Sequence, residues 1–332
     1  MPTMLERDDN GNDYEVGEWL RFGLRLGVTT ALHPLEYAKV LMQIGFEPIA
    51  PVPGRTLFGR PTMVLPNVFQ YAAYIKHVDG FYGCFRGLSA KILGNLLSAH
   101  FSEKFADEMG LEVVKESDSK RKSKDERGTG DAEEDDRQLD EQFKKQLKRN
   151  LVVHAAGVVI SQPFHVISVR MMAQFVGREK IYTGVWASIR EIWSQDGIFG
   201  FFSGFVPRLV CDLGCLVIAS SATYLASKYL IREKEGRIYF SSISQFVCSS
   251  MFYPYHVVST CMIVNGSRLK AGNLPIMEPY HDWRDCYAKL KAAGQHKRGS
   301  SLFFRYASRP RVPKPSASGG SFVPYPELKY TR

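Results

Sequence analysis

The reading of the fold rests on the stretch Ser161–Leu209, where Gln162-Pro163-Phe164-His165-Val166-Ile167-Ser168-Val169-Arg170 is followed by Tyr182, then Asp196-Gly197, then Phe202-Ser203-Gly204 and Pro207-Arg208. The same order occurs upstream as Pro34-Leu35-Glu36-Tyr37-Ala38-Lys39, Asp79-Gly80 and Phe85-Arg86-Gly87. A weaker copy begins at Tyr253-Pro254-Tyr255-His256 and closes with Phe303-Phe304-Arg305. Three copies of one supersecondary unit imply an architecture in which each unit packs only with the help of its neighbours.

Each copy opens in an apolar segment. Leu151–Val169 and Ile238–Ser267 contain no Asp, Glu, Lys or Arg. Thirty such residues would run roughly 45 Å as a helix, more than a hydrocarbon core of about 30 Å requires. Membrane helices are therefore expected near 142–175, 204–230 and 238–264. Two further crossings, at 18–44 and 88–109, carry charges that must face protein, water or the membrane surface. On the first of these, Glu36, Lys39 and Gln43 are three and four residues apart and form one polar stripe.

Between the crossings, 67–77, 182–195 and 281–293 alternate apolar and polar residues at helical spacing, as interfacial helices do. Prolines at 48, 51, 53, 61 and 66 exclude a continuous helix there, so 48–66 is expected to be a surface loop. The charge-dense stretch after Glu112 cannot bury a core. The expected organisation is a disordered N-terminus (1–17), a first repeat (18–111), a charged disordered linker (112–141), a second repeat (142–230), a truncated third repeat (231–305) and a disordered tail (306–332). The tail, rich in proline and without a long apolar run, offers no sixth helix.

The net charge of +9 points to an acidic partner. With basic residues beside the apolar segments and no nucleic-acid-binding motif, lipid headgroups fit and nucleic acid does not. Six cysteines without a CxxC pair read as small apolar residues of helices. Acidic residues between positions 5 and 18 contradict a cleavable mitochondrial presequence. Nucleophile elbows, phosphate loops and paired catalytic carboxylates are missing, so no enzymatic activity, cofactor or metal is expected.

A proline followed by an acid two residues on and a base three further, then an acid-glycine pair and an aromatic-basic-glycine triplet, resembles the signature of mitochondrial solute carriers. Repeat one matches through Pro34, Glu36, Lys39, Asp79, Gly80, Phe85, Arg86 and Gly87. Repeat two keeps Pro163, Asp196, Gly197, Phe202 and Gly204, with His165, Ser168 and Ser203 in place of charges. Repeat three keeps Pro254, with His256 and Ser259. The prolines are separated by 129 and 91 residues, a difference that the proline-rich loop and the charged linker absorb. Lys39-Val40-Leu41-Met42-Gln43-Ile44-Gly45-Phe46-Glu47-Pro48, Gln162–Ile167 and Gly299–Arg305 are similar to the mitochondrial carrier homolog proteins, a divergent outer-membrane branch of that family.

The resemblance implies an all-α, three-repeat carrier-like bundle in the mitochondrial outer membrane. In carriers the acid/base pairs after the prolines form a salt-bridge gate. Here only Glu36 and Lys39 could contribute, which disfavours a gated antiporter. A five-helix bundle would leave a polar groove open sideways between its first and fifth crossings. The groove residues expected are Asp212, Arg170, Lys39, Glu36, His165, Asn95, Gln245 and His256. Asp212 stands out, because a carboxylate inside an apolar helix needs either a partner such as Arg208, Lys39 or Arg170, or a wet groove. The function implied is insertion of helical, especially tail-anchored, membrane proteins, with lipids as further partners. The alternatives are a docking receptor for apoptotic regulators and a degenerate solute carrier.

Overall fold

The computed structural model describes residues 12–56, 58–111, 132–230 and 234–306. The stretches expected to be disordered at 1–11, 112–131 and 307–332 lie outside the described residues. Five long helices dominate: α1 (Asn12–Ile44), α3 (Leu88–Glu108), α4 (Ala132–Ala173), α6 (Phe205–Tyr229) and α7 (Lys234–Val264). Between them run the shorter helices α2 (Val68–Gly83), α5 (Val185–Asp196) and α8 (Trp283–Ala292). No helix follows α8 among the described residues.

Pro34, Pro163 and Pro254 lie inside α1, α4 and α7, at corresponding places of the three repeats. Asp79-Gly80 and Asp196-Gly197 turn the chain as expected: Gly80 (φ 76°) breaks α2, and Gly197 (φ 63°) ends α5. Gly87 and Gly204 cap α3 and α6 in the left-handed region, where a side chain would be strained. Asp140–Ala173, Val185–Tyr229 and Glu235–Val264 contain helices long and apolar enough to cross a membrane. α1 and α3 form where expected, but their charges leave them less apolar than a wholly lipid-facing span.

Packing is uneven along the bundle. Helix α3 meets α4 through small residues at every fourth position: Ala90, Gly94, Ser98, Ser102 and Ala106. A Cβ on Gly94 would lie 2.8 Å from the Cβ of Phe164, and the Ser98 hydroxyl donates to the Gly157 carbonyl at 3.1 Å. Small residues at i and i+4 let two backbones approach closely where the hydrophobic effect gives no help. Helices α6 and α7 do the same through Cys215, Ala219 and Cys248, with Phe252 against Gly214.

The main core gathers at the end of the bundle that carries α2, α5 and α8. It joins Tyr37 and Leu41 of α1, Val166 and Met172 of α4, and Val257 and Ile263 of α7. At the other end α1 stands clear. A Cβ on Gly23 or Gly27 would meet nothing within 4 Å, and Leu20, Leu24, Val28 and Leu32 all face outward.

Three expectations need correction. Helix α1 begins at Asn12, inside the stretch expected to be disordered, because no proline interrupts it and a helix nucleated downstream propagates. Helix α4 begins at Ala132, inside the expected linker and upstream of Arg137. Tertiary contacts override the charged composition there. Asp140 pairs with Lys228 at 3.0 Å and accepts from Tyr224, while Phe143 stacks on Tyr224 with centroids 4.2 Å apart. Finally, the proline-rich stretch is not only loop. Strands β1 (Val52–Arg55) and β2 (Pro61–Leu65) form an antiparallel hairpin, and β3 (Arg305–Tyr306) adds a third strand against β2. Pro53 sits in the edge strand β1 and Pro61 opens β2, where a missing N–H is tolerated.

Candidate polar groove

Two layers of polar residues line the inside of the bundle. The first lies at the level of the three prolines. Glu36 forms an ion pair with Lys91 of α3, not with Lys39. The Lys39 ammonium lies over the Tyr253 ring, 5.3 Å from its centroid. Gln43 donates to the Tyr253 hydroxyl at 3.1 Å and accepts from Thr260 at 3.0 Å, which ties α1 to α7. His165 lies within Coulombic reach of Arg208, His256 and Lys91, and His256 within reach of Lys39 and Arg208. The Nε2 atom of His165 is buried without a hydrogen-bond partner.

Serine at the two remaining charge positions has a specific use. Ser168 donates to the carbonyl of Gly87 at 3.0 Å, and Ser259 donates to the carbonyl of Gly204 at 2.8 Å. Each repeat is thereby joined to the one before it. A Cβ on Gly87 would fall 2.8 Å from the Ser168 carbonyl oxygen, and on Gly204 2.5 Å from that of Ser259, so the close approach requires glycine. Hydroxyls bound to carbonyls in this way form no salt-bridge ring.

The second layer centres on Asp212. Its carboxylate lies 3.7 Å from the Arg208 Nε, one helical turn away, and its side chain is 41% exposed. Arg208 is held more firmly elsewhere, donating to Gln162 Oε1 at 2.9 Å and to Ser161 Oγ at 3.1 Å. Gln162 in turn donates to the Ser203 carbonyl at 2.8 Å. Asp212 is therefore loosely paired, at a distance longer than either hydrogen bond that Arg208 makes. His154 of α4 is the other basic group within reach. Asp212 is the eighth residue of α6, about 10 Å along it. A carboxylate facing hydrocarbon at such a depth would cost roughly 2.5–3.5 kcal/mol, a cost that a groove open to water would avoid.

Arg170 does not belong to the groove. Its side chain is 1% exposed and donates to Asp196 Oδ2 at 2.9 Å, to the Ile263 carbonyl at 3.0 Å and to the Tyr182 hydroxyl at 3.5 Å. It locks α4, α5 and α7 together in the core. Burial pushes the Tyr182 phenol above its ordinary value, with Arg170 opposing, so Tyr182 stays protonated. Gln245 is exposed on α7, donating to Cys215 Sγ of α6 at 3.4 Å, and Asn95 faces outward on α3. Sequence reasoning missed Lys91 and Tyr253 as groove residues. The signal for Lys91 was its place four residues after Gly87, as Arg208 is four after Gly204. An apolar notch of about 330 Å³, lined by Phe164, Ile189, Trp193 and Phe202 among others, opens elsewhere, beside α5.

Comparison with known families matches residues 144–234 to the mitochondrial carrier protein family. Mitochondrial carrier homolog 2 of Bos taurus is 36% identical over 284 residues, 84% of this chain and 91% of that protein, and the Homo sapiens protein of the same name gives the same figures. Mitochondrial carrier homolog 1 of Mus musculus is 32% identical over 321 residues, 90% of this chain and 79% of that protein.

Proposed function

We propose, from the premise that this chain belongs to the mitochondrial carrier homolog family, that it inserts helical membrane proteins into the mitochondrial outer membrane. Tail-anchored proteins are the main clients. The same groove would let lipid headgroups cross. The observation that carries this reading is the loosely paired, partly exposed Asp212 inside an apolar helix, in a bundle whose first helix stands clear along its N-terminal half. A short polar tail needs a hydrated path through the core and a lateral exit for the helix that follows it. Polar residues on α4, α6 and α7 support the path, and the free half of α1 supports the exit. A gated solute carrier is disfavoured, because Ser168 and Ser259 bind carbonyls of the neighbouring repeat instead of forming gate ion pairs.

The test is insertion of a labelled tail-anchored protein into liposomes containing the purified chain, comparing it with Asp212→Arg at equal reconstitution. Protease-protected insertion is expected with the native chain and at least several-fold less with the variant. If neither exceeds empty liposomes while the client still binds, the protein is a receptor for membrane helices and the insertase reading falls.

A further inference from the structure

The hairpin β1–β2 has a surface that water does not explain. In its register Pro53 faces Met63 and Arg55 faces Pro61, so these four share one side of the ribbon, and all four are exposed. The outward side of a hairpin that meets solvent is ordinarily polar. At the tip, Phe58 is 92% exposed, the highest value among the large apolar residues described, and Arg60 beside it is exposed as well. Residues 48–66 contain no Asp or Glu, so the two guanidiniums have no counter-charge within the hairpin.

The hairpin is also held in place. Its second strand pairs with β3 through Val64–Tyr306 and Leu65–Arg305. Arg305, 6% exposed, forms an ion pair with Glu47 and donates to the Pro66 carbonyl at 2.9 Å. At its base Phe69 and Phe303 touch, with centroids 5.9 Å apart, and both face outward together with Phe304. The apolar surface thus continues from the hairpin onto α2, which follows the end of the long helix α1.

We propose that the hairpin is a fixed membrane-surface foot, with Phe58 and the Pro53/Met63 side entering the headgroup boundary and Arg55 and Arg60 binding anionic lipid phosphates. An apolar tip flanked by guanidiniums suits that boundary better than either water or hydrocarbon. The inference does not depend on insertion activity, since it concerns how the bundle sits and not what crosses it.

The test uses the full chain in vesicles of phosphatidylcholine with and without phosphatidylserine. An environment-sensitive NBD label is placed through Phe58→Cys, and separately through Met63→Cys. The unsubstituted protein, whose six cysteines are buried or half-buried, serves as blank. Spin-labelled lipid is expected to quench either label about two-fold when phosphatidylserine is present, and less when Arg55→Ala and Arg60→Ala are added. Labels that lipid leaves unquenched and aqueous iodide quenches would show a hairpin in water and overturn the proposal. Labels shielded from both would show a protein surface, such as a second copy, and overturn it equally.

Discussion

The first two repeats carry the same Asp-Gly turn and the same left-handed glycine seven residues later, yet each aspartate is held by an arginine from a different place. In repeat one Arg86, from the triplet that ends at Gly87, pairs with Asp79 at 2.9 Å and is 28% exposed. In repeat two Ser203 stands at that position, and Arg170 reaches Asp196 from the last turn of a core helix. The local pair joins parts of one loop. The distant pair joins three helices, since Arg170 also bonds the Ile263 carbonyl of α7. The two repeats differ at two positions here, Arg86 against Ser203 and Leu41 against Arg170, and the fastening lies near the surface in one and in the core in the other.

That contrast can be broken experimentally. The largest effect is expected from Arg170→Ala, which leaves the Ile263 carbonyl and Asp196 without their donor. Removing one partner of a buried pair costs about 3–5 kcal/mol. Asp196, 31% exposed, can partly rehydrate, so a loss near the lower end is expected in denaturant or thermal unfolding of the detergent-solubilised chain. Arg86→Ala should cost only about 1 kcal/mol, and an equal loss in the two variants would erase the distinction. Adding Ser203→Arg to the Arg170 variant should recover roughly 1 kcal/mol by rebuilding the loop pairing of repeat one. No recovery would mean that the two turns are not equivalent in space.

The hydroxyl joints between repeats form the next rank. Ser168→Ala and Ser259→Ala are each expected to cost about 0.5–1.5 kcal/mol. Ser168→Lys and Ser259→Lys, which restore the carrier charge, should cost more, because the glycine backbone opposite leaves no room. The smallest effect concerns Glu47. Burial pushes its carboxyl above the ordinary value, with Arg305 opposing. The folded state therefore holds this proton more tightly than the unfolded chain does. The stability it contributes is fully present below the ordinary carboxylate value of about 4.3 and is lost as pH rises through the raised one. Arg305→Ala should carry that loss to higher pH, and Glu47→Gln should abolish it, as read from unfolding midpoints across the acidic range.

Much of the backbone was legible in the sequence. Pro34, Pro163 and Pro254 marked the core helices, and the Asp-Gly pairs marked turns that glycine alone makes without strain. The polar stripe Glu36, Lys39 and Gln43 pointed to the side of α1 that meets α3 and α7. What stayed hidden depended on partners far along the chain. A run of charges reads as unstructured until Asp140 meets Lys228 and Tyr224. A proline-rich loop reads as irregular until Arg305 and Tyr306 arrive from the opposite end to pair with it. The role of Arg170 was hidden for the same reason: its position in an apolar helix suggested a groove, whereas the groups that bind it come from two other helices. Asp212 stood out because an unbalanced carboxylate in an apolar run is visible in one dimension, and the structure pairs it with Arg208 at 3.7 Å. Its partner Arg208 was also named, but not the bonds to Gln162 and Ser161 that keep that arginine from neutralising it closely.

The open surroundings of Gly23 and Gly27 have a consequence for the motions of the bundle. Glycine inside a helix costs about 1 kcal/mol relative to alanine, and no packing offsets that cost where an added methyl would touch nothing. The upstream half of α1 is therefore where backbone amides should exchange with solvent soonest, with protection rising sharply past His33, whose ring bonds the Arg86 carbonyl at 2.9 Å. The wall of the groove that has least to hold it is also the one whose hydrogen bonds open most readily, so fluctuation and lateral access are properties of the same twenty residues or so.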